Sequence, residues 1–558
     1  MDLELAFPVD QSQYAWKTWQ KPLPWNAFDQ PDWSASSSQS RLFKLPTELL
    51  HRIVDSISDT DLATLALVNS DCCRLVLPRL CRRLKIEARH WTPAILDLVV
   101  EERLSSRLPQ VSSASCLRHL QIDNRWNAGV LKGMPTFISK LPNLEAFSYY
   151  KQIETDDTEL WLALSVSNVR HLHYVDHVYT RHLLPPVRLT GRRKWSLESL
   201  QISTIGENTD LLLDLLSVCS HSVKRIRMTT HGKYKYLKSK KGTSAMNYNF
   251  EKLTDLTLSG FSADGGLTMA DVLVSSPHLR ALSIVDGQWR LWDDESSDIE
   301  RILTRFLLNN SSSQLVSLAL PASALASKAT QAMTSSMNTL SHFEVANVDY
   351  DNDDDHGVDN IMQFYLNCFP AFSNLRKLSL TLCAWHDVLT REFQDLLRSL
   401  PGLQMLTLKR LDAAWLWNAG RQAPAHDRIR QCLTPLSNLT HLAFLDDCIK
   451  GWRPGYHRQS EDRHRKTTLE EARKYAETLP SLQWMFVGQY PISLSTTGPP
   501  QFLSADRLEG RLYVNRMISL HDPMTIHIDY AYRKCFDQVA GLVDEGLDET
   551  SSDESIEE

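Results

Sequence analysis

The sequence contains no run of about 18 uncharged apolar residues, so no helical membrane span is expected. Residues 1–30 lack a basic start followed by an apolar stretch, so no secretory signal is expected. No cysteines are spaced Cys-x-x-Cys. The ten present are scattered, with only Cys72 and Cys73 adjacent. That pattern fits neither a zinc site nor a secreted disulfide scaffold, and points to reduced thiols in the cytoplasm and/or nucleus. A basic excess is also missing. The formal net charge is -7, and residues 543–558 alone carry eight acidic and no basic side chains, leaving a near-neutral body. Nucleic acid is therefore not an expected partner. Nor is there a Gly-x-Ser-x-Gly, a His-Glu-x-x-His, a phosphate loop or a Gly-x-Gly-x-x-Gly. The expectation is a non-catalytic protein with no cofactor, metal or membrane contact.

What is present is a repeat. The 558 residues are too many for one compact core, and 42% apolar with 23% charged residues is ordinary globular usage. From Leu117 onward the pattern apolar-x-x-apolar-x-apolar returns thirteen times. It begins at Leu117, Leu144, Val169, Leu197, Val223, Leu253, Leu279, Leu315, Leu340, Leu375, Leu403, Leu439 and Leu482. The early intervals are 27, 25, 28, 26, 30 and 26 residues; the later ones are 36, 25, 35, 28, 36 and 43. Leucine-rich repeats span about 20–29 residues, so the early half is regular and the late half carries insertions. A proline often precedes the motif, as at Pro142, Pro277, Pro401 and Pro480, ending one helix before the next strand. One repeat cannot bury its own apolar face, so neighbours must stack, with parallel strands on one side and helices such as 211–216 on the other. The alternative is an ordinary α/β protein with leucine-rich strands.

Residues 41–90 carry a helical period instead. Leu49, Leu50 and Ile53 share a face, with Pro46 in the first turn. Asp59 or Thr60 opens a second helix bearing Leu62, Leu65 and Val68. Asn69 or Ser70 opens a third bearing Leu75, Leu77 and Leu80, with Pro78 interrupting. Leu45-Pro46-x-Glu48-Leu49-Leu50-x-x-Ile53, then Asp61-Leu62-x-x-Leu65-x-x-Val68, then Cys72, Leu75 and Pro78, resembles the F-box over about 40 residues. The whole chain is similar to the F-box proteins with irregular leucine-rich repeats common in fungi.

That resemblance implies a three-helix module that binds a Skp-type adaptor, and through it the cullin and RING subunits of an SCF-type ubiquitin ligase. It places the adaptor contact on Leu45, Pro46, Leu49, Leu50, Ile53, Leu62, Leu65, Val68, Leu75 and Pro78. The repeats would bind a target protein for ubiquitin-dependent degradation. The alternative within the resemblance is a scaffold acting outside ubiquitination. Physical chemistry agrees with an outside contact, because about 45 residues rarely make a self-sufficient core. The rival reading has the helices simply capping the repeat array.

The expected architecture is therefore an α/β leucine-rich-repeat solenoid, or horseshoe, preceded by a three-helix F-box. Residues 1–40 are an arm rich in Gln, Pro, Ser and Trp, 41–90 the F-box, 91–499 the solenoid, 500–542 a C-terminal cap and 543–558 an acidic tail. If the second and third motif residues point inward, strand alternation sends their neighbours to solvent. His119, His171, His173, Arg225, Arg227, Met405, Trp484 and Phe486 are the candidate target-binding residues on that basis, Arg and aromatic side chains being common interface anchors.

Three other segments have bland readings. Asp351 to Gly357 imitates a calcium loop, but His356 replaces the glycine and Met362 the bidentate glutamate. The basic run Lys233 to Lys241 reads as a solvated loop. The tail around Ser551, Ser552 and Ser555 resembles an acidophilic kinase substrate.

Overall fold

The computed structural model of the chain describes residues 40–57, 59–87, 116–124, 133–151, 157–176, 195–204, 215–230, 250–259, 276–285, 315–321, 339–346, 365–366, 372–382, 390–410, 426–445, 458–487, 490–494 and 501–502. The chain divides into two compact units. The first holds the described residues from Ser40 to Leu253, the second Thr254 to Ser259 and those from Pro277 onward. The expected 91–499 array is thus shared between them.

The first unit opens with three helices, α1 (Thr47–Ser56), α2 (Asp59–Ala66) and α3 (Ser70–Leu80). Pro46 stands just before α1 with ψ 143, and its carbonyl accepts from the N–H groups of Leu49 and Leu50 at 2.9 and 3.1 Å. Asn69 caps α3, its side-chain oxygen accepting from the Cys72 N–H at 2.7 Å. Pro78 does not interrupt α3. It removes only its own backbone donor, close to the helix end, and the Cys81 N–H to Leu77 carbonyl bond (2.8 Å) closes the next turn. Phe43, Leu50, Val54, Leu62, Cys72, Leu75 and Val76 form a core, with Leu42, Ile57, Leu65, Ala66 and Leu80 packed on it. That core is drawn wholly from residues 42–80.

Six parallel strands follow, side by side in chain order: β1 (Arg83–Glu87), β2 (His119–Asn124), β3 (Ala146–Lys151), β4 (His171–Asp176), β5 (Ser199–Thr204) and β6 (Arg225–Thr230). Helices α4 (Met134–Ser139) and α5 (Thr158–Val166) bury Met134, Phe137 and Ile138, and Leu160, Trp161 and Leu164. Strand β1 lies inside the segment expected to be purely helical. Cys81, Leu84 and Ile86 repeat the motif with cysteine in its first place, 36 residues before Leu117.

The second unit continues the scheme with eight parallel strands in order: β7 (Asp255–Ser259), β8 (Ala281–Val285), β9 (Ser317–Pro321), β10 (His342–Ala346), β11 (Lys377–Leu382), β12 (Met405–Arg410), β13 (His441–Leu445) and β14 (Trp484–Val487). Helices α6 (Arg391–Arg398), α7 (His426–Leu433) and α8 (Arg458–Thr478) come from the connections. Two antiparallel strands, β15 (Tyr490–Ser493) and β16 (Gln501–Phe502), end the described sheet, so the change of direction begins before residue 500. The rest of the 500–542 segment, residues 1–39, the acidic tail, the calcium-like loop and the Lys233–Lys241 run lie outside the described residues.

All thirteen motifs coincide with strands β2–β14. Every motif residue whose side chain is described is at most 4% exposed. Before many strands a turn closes three residues ahead of the motif, with N–H to carbonyl bonds from Leu144 to Leu141, Leu403 to Leu400 and Leu482 to Leu479. Pro142, Pro401 and Pro480 occupy its second place, where a fixed φ favours the turn. The carbonyl of the residue before most strands then accepts two N–H groups from the next repeat. Arg118 receives Glu145 and Ala146 (both 2.9 Å), and Gln404 receives Thr440 and His441 (2.8 and 3.0 Å). Using both lone pairs in this way satisfies the strand-start donors of those repeats and fixes their register.

Among the described residues no helix is long and apolar enough to cross a membrane, and no three His, Cys, Asp or Glu side chains gather as metal ligands.

Candidate docking surfaces

Helix α1 carries two apolar stripes. Leu50 and Val54, four apart, face the core at 1% and 2% exposure. Leu49 and Ile53, also four apart, lie on the next stripe at 43% and 37%. Leu45 stands just before the helix, also exposed. Helix α2 ends in a tightened turn, with Leu67 N–H to the Thr64 carbonyl (3.1 Å) and Val68 N–H to the Leu65 carbonyl (3.2 Å). Because Asn69 then caps α3, Val68 is held one residue outside it. An apolar residue there commonly folds back as a staple, but Val68 stays 65% exposed and Leu67 86%.

The ten residues assigned to adaptor binding therefore divide. Leu50, Leu62, Leu75 and Pro78 are buried within the module, and Leu65 is partly buried against its core. Leu45, Pro46, Leu49, Ile53 and Val68 are exposed. Leu67 joins the exposed set. It was missed because helical spacing from Leu62 and Leu65 singles out Val68 and skips its neighbour.

The second candidate surface is the sheet face opposite the motif leucines. In strands β2–β6 the first positions in register are His119, Ala146, His171, Ser199 and Arg225, and the third are Gln121, Ser148, His173, Gln201 and Arg227. His119, His171, Arg225 and Arg227 are half-buried. His173 is not exposed as alternation predicts: it is 4% accessible. The Tyr150 ring meets it edge-on at 5.3 Å, and the Tyr150 hydroxyl lies 3.4 Å from its Nδ1. Burial, and then the nearby Arg225 guanidinium, pull the His171 pKa down to about 3, so the ring is neutral near pH 7.

The residues just before these strands alternate in charge: Arg118, Glu145, Arg170, Glu198, Lys224. Arg118 reaches Glu145 at 3.5 Å, Arg170 reaches Glu198 at 3.4 Å, and Lys224 reaches Glu198 at 2.9 Å. The hydrogen bond from Lys224 holds the Glu198 carboxyl below its usual range, against the opposing effect of burial. This ladder was legible as one charged residue of alternating sign per repeat, but inspection of the inward leucines passes over it.

In the second unit the corresponding face is largely closed. Met405, expected in solvent, is 4% exposed, an apolar side chain lying between the register neighbours Lys377 and His441. Third positions from Thr257 to Ala443 are no more than 9% exposed; all but Glu344 are Ser, Thr or Ala, too short to rise above strands about 4.8 Å apart. Trp484 is half-buried and stacks on His441 with ring centroids 6.5 Å apart, while burial, then Lys377, lowers the His441 pKa to about 4. The Phe486 side chain lies outside the described residues.

The chain matches no protein-family model and no curated protein.

Proposed function

We propose that the chain is an F-box protein with irregular leucine-rich repeats, serving as substrate receptor of an SCF-type ubiquitin ligase. In this reading α1–α3 dock a Skp-type adaptor through Leu45, Leu49, Ile53, Leu67 and Val68, and the repeats hold the target. The observation that carries it is the crowding of exposed large apolar side chains on one small module. Of six such residues among those described, five belong to residues 45–68, and only Val166 lies elsewhere. A module with its own core and a surplus of apolar surface outside it has a physical reason to bind another helical protein. The receptor supplies no catalytic group. It works by holding the target beside the ubiquitin-charged enzyme and raising effective concentration.

The test is capture of a purified Skp-type adaptor and cullin by the full chain. Wild-type chain retains both, and Leu49→Asp releases both. Equal retention by the variant overturns the reading. Measuring target half-life after deletion of residues 41–80 separates a degradation receptor from a scaffold outside ubiquitination.

A further inference from the structure

The first and third positions of strands β1–β6, aligned by their register, hold four arginine or lysine residues, three histidines and no carboxylate. The same positions of β7–β14 include Asp255 and Glu344. The fifth positions of β1 and β2 add Glu87 and Asp123, whereas those of β4–β6 are Val175, Ser203 and Thr229, so β4–β6 lie in the carboxylate-free part of this face. Arg225 and Arg227 are two residues apart on one strand, so both project from this face, and both are half-buried rather than splayed into water. Arg170 and Lys224 stand directly before the same group of strands. Glu198, the carboxylate between them, is already bonded to both. His171 feels Arg225 more strongly than it feels Glu198, so the field at the middle of the face is positive.

We propose that this face binds an anionic peptide segment of a partner protein, one rich in carboxylates or phosphoserine, across β4–β6. Guanidinium forks at Arg225 and Arg227 match carboxylate and phosphate oxygens in pairs. The neutral histidine and the intervening Ser199 and Gln201 add hydrogen-bonding groups without opposing charge. Three strands span about 10 Å, the length of about three extended residues, so a short linear segment suffices. A nucleic-acid strand fits less well. It uses aromatic platforms for its bases, and the Tyr150 ring on this sheet is turned edge-on to His173. The inference stands apart from adaptor docking, since none of these residues lies on α1–α3.

The test is fluorescence anisotropy on the full chain with three labelled probes: a short peptide of Asp, Glu and phosphoserine, its unphosphorylated counterpart, and a thymidine oligonucleotide of equal length. The phosphopeptide binds. Binding falls about tenfold or more in Arg225→Glu/Arg227→Glu and weakens as salt rises from about 50 to about 200 mM. Arg225→Lys/Arg227→Lys, which keeps the charge but not the paired donors, weakens it less than charge reversal does, and Leu49→Asp leaves it unchanged. If charge reversal lowers the melting temperature, Arg225→Gln/Arg227→Gln is read in its place. The unphosphorylated peptide decides between phosphate and carboxylate as the source of charge. Absence of phosphopeptide binding by wild-type chain, undiminished binding by the arginine variants, or tighter binding of the oligonucleotide overturns the proposal.

Discussion

Leu49→Asp separates the two stripes of α1, because the substitution falls where the helix tolerates it. Leu49 is 43% exposed, so the packing lost within the chain is roughly half of a full leucine burial, about 1 kcal/mol. Aspartate is also a poorer helix former than leucine by a few tenths of a kcal/mol. Opposing both, position 49 is in the first turn of α1, where a carboxylate gains about 0.3–1 kcal/mol from the helix dipole. The net effect on the free module is expected to stay under about 1 kcal/mol. In an adaptor complex the same carboxylate would be desolvated against apolar surface, which costs about 3 kcal/mol or more, a drop of about a hundredfold in affinity. Leu50→Ala is the contrast. Leu50 is 1% exposed, and emptying its place costs the fold about 2–5 kcal/mol. Amide hydrogen exchange over residues 47–80 reads the fold, and titration calorimetry with a Skp-type adaptor reads the contact. Near-native exchange with lost binding for Leu49→Asp, and fast exchange for Leu50→Ala, is the expected pair of results. Affinity within about threefold of wild type for Leu49→Asp refutes the outer stripe as a contact. Equally fast exchange in both variants refutes the two-stripe reading of α1.

Three further perturbations follow from the geometry. His171 and His441 have pKa values lowered to about 3 and about 4, so between pH 6.5 and 5 the unfolded chain takes up protons that the folded chain refuses. Their stabilisation is complete above 6.5 and declines below it by up to about 1.4 kcal/mol per pH unit for each ring; calorimetric melting from pH 7.5 to 5 should show the decline, and His171→Asn/His441→Asn should flatten it. Lys151 Nζ lies 2.7 Å from Asp157 Oδ2, with both side chains buried, so Lys151→Met strands a carboxylate and costs about 3–5 kcal/mol. Lys151→Met/Asp157→Leu should restore most of that, and a double variant no more stable than the single one in denaturant titration would count against the pair. Asn69→Ala removes the α3 cap at the Cys72 N–H and should cost about 1 kcal/mol, read as faster exchange at the first amides of α3.

The strands were legible in the sequence because inward leucines recur under a strict constraint. Leu120 and Ile122, Leu406 and Leu408, and the pairs between them fill the same places in every repeat, and any polar residue there would be buried without water. Strand β1 escaped only because Cys81 opens its motif in place of leucine. Exposure of the opposite face was much less legible. Alternation states which side of the sheet a residue occupies, but its accessibility depends on what the neighbouring strands place beside it. His173 is closed off by Tyr150, which lies on another strand and in another register position. Met405 is closed off between longer neighbours. The α1 module shows the same limit. Leu49 and Leu50 are adjacent identical residues, and no helical period computed from one chain says which of two apolar stripes will meet its own core. The structure assigns Leu50 inward because Val54, Leu62 and Leu75 converge on it.

Repetition also indicates where function can reside. The motif positions are interchangeable from repeat to repeat, since each contributes only volume to the core, and the two-donor carbonyl before most strands demands nothing of its side chain. The variable places are the residue before the strand and the first and third residues within it. In the second unit the third positions from Thr257 to Ala443 are Ser, Thr or Ala except for Glu344, and all are buried. In the first unit the first and third positions of β4–β6 hold His171, His173, Arg225 and Arg227 with no carboxylate, and all of these but His173 are partly accessible. A sheet selected only for stability has no reason to place two guanidinium groups two residues apart on one face of one strand, because repulsion between them opposes folding. Their place on β6, in the unit that also bears the exposed stripe of α1, puts both candidate contacts in the first 253 residues.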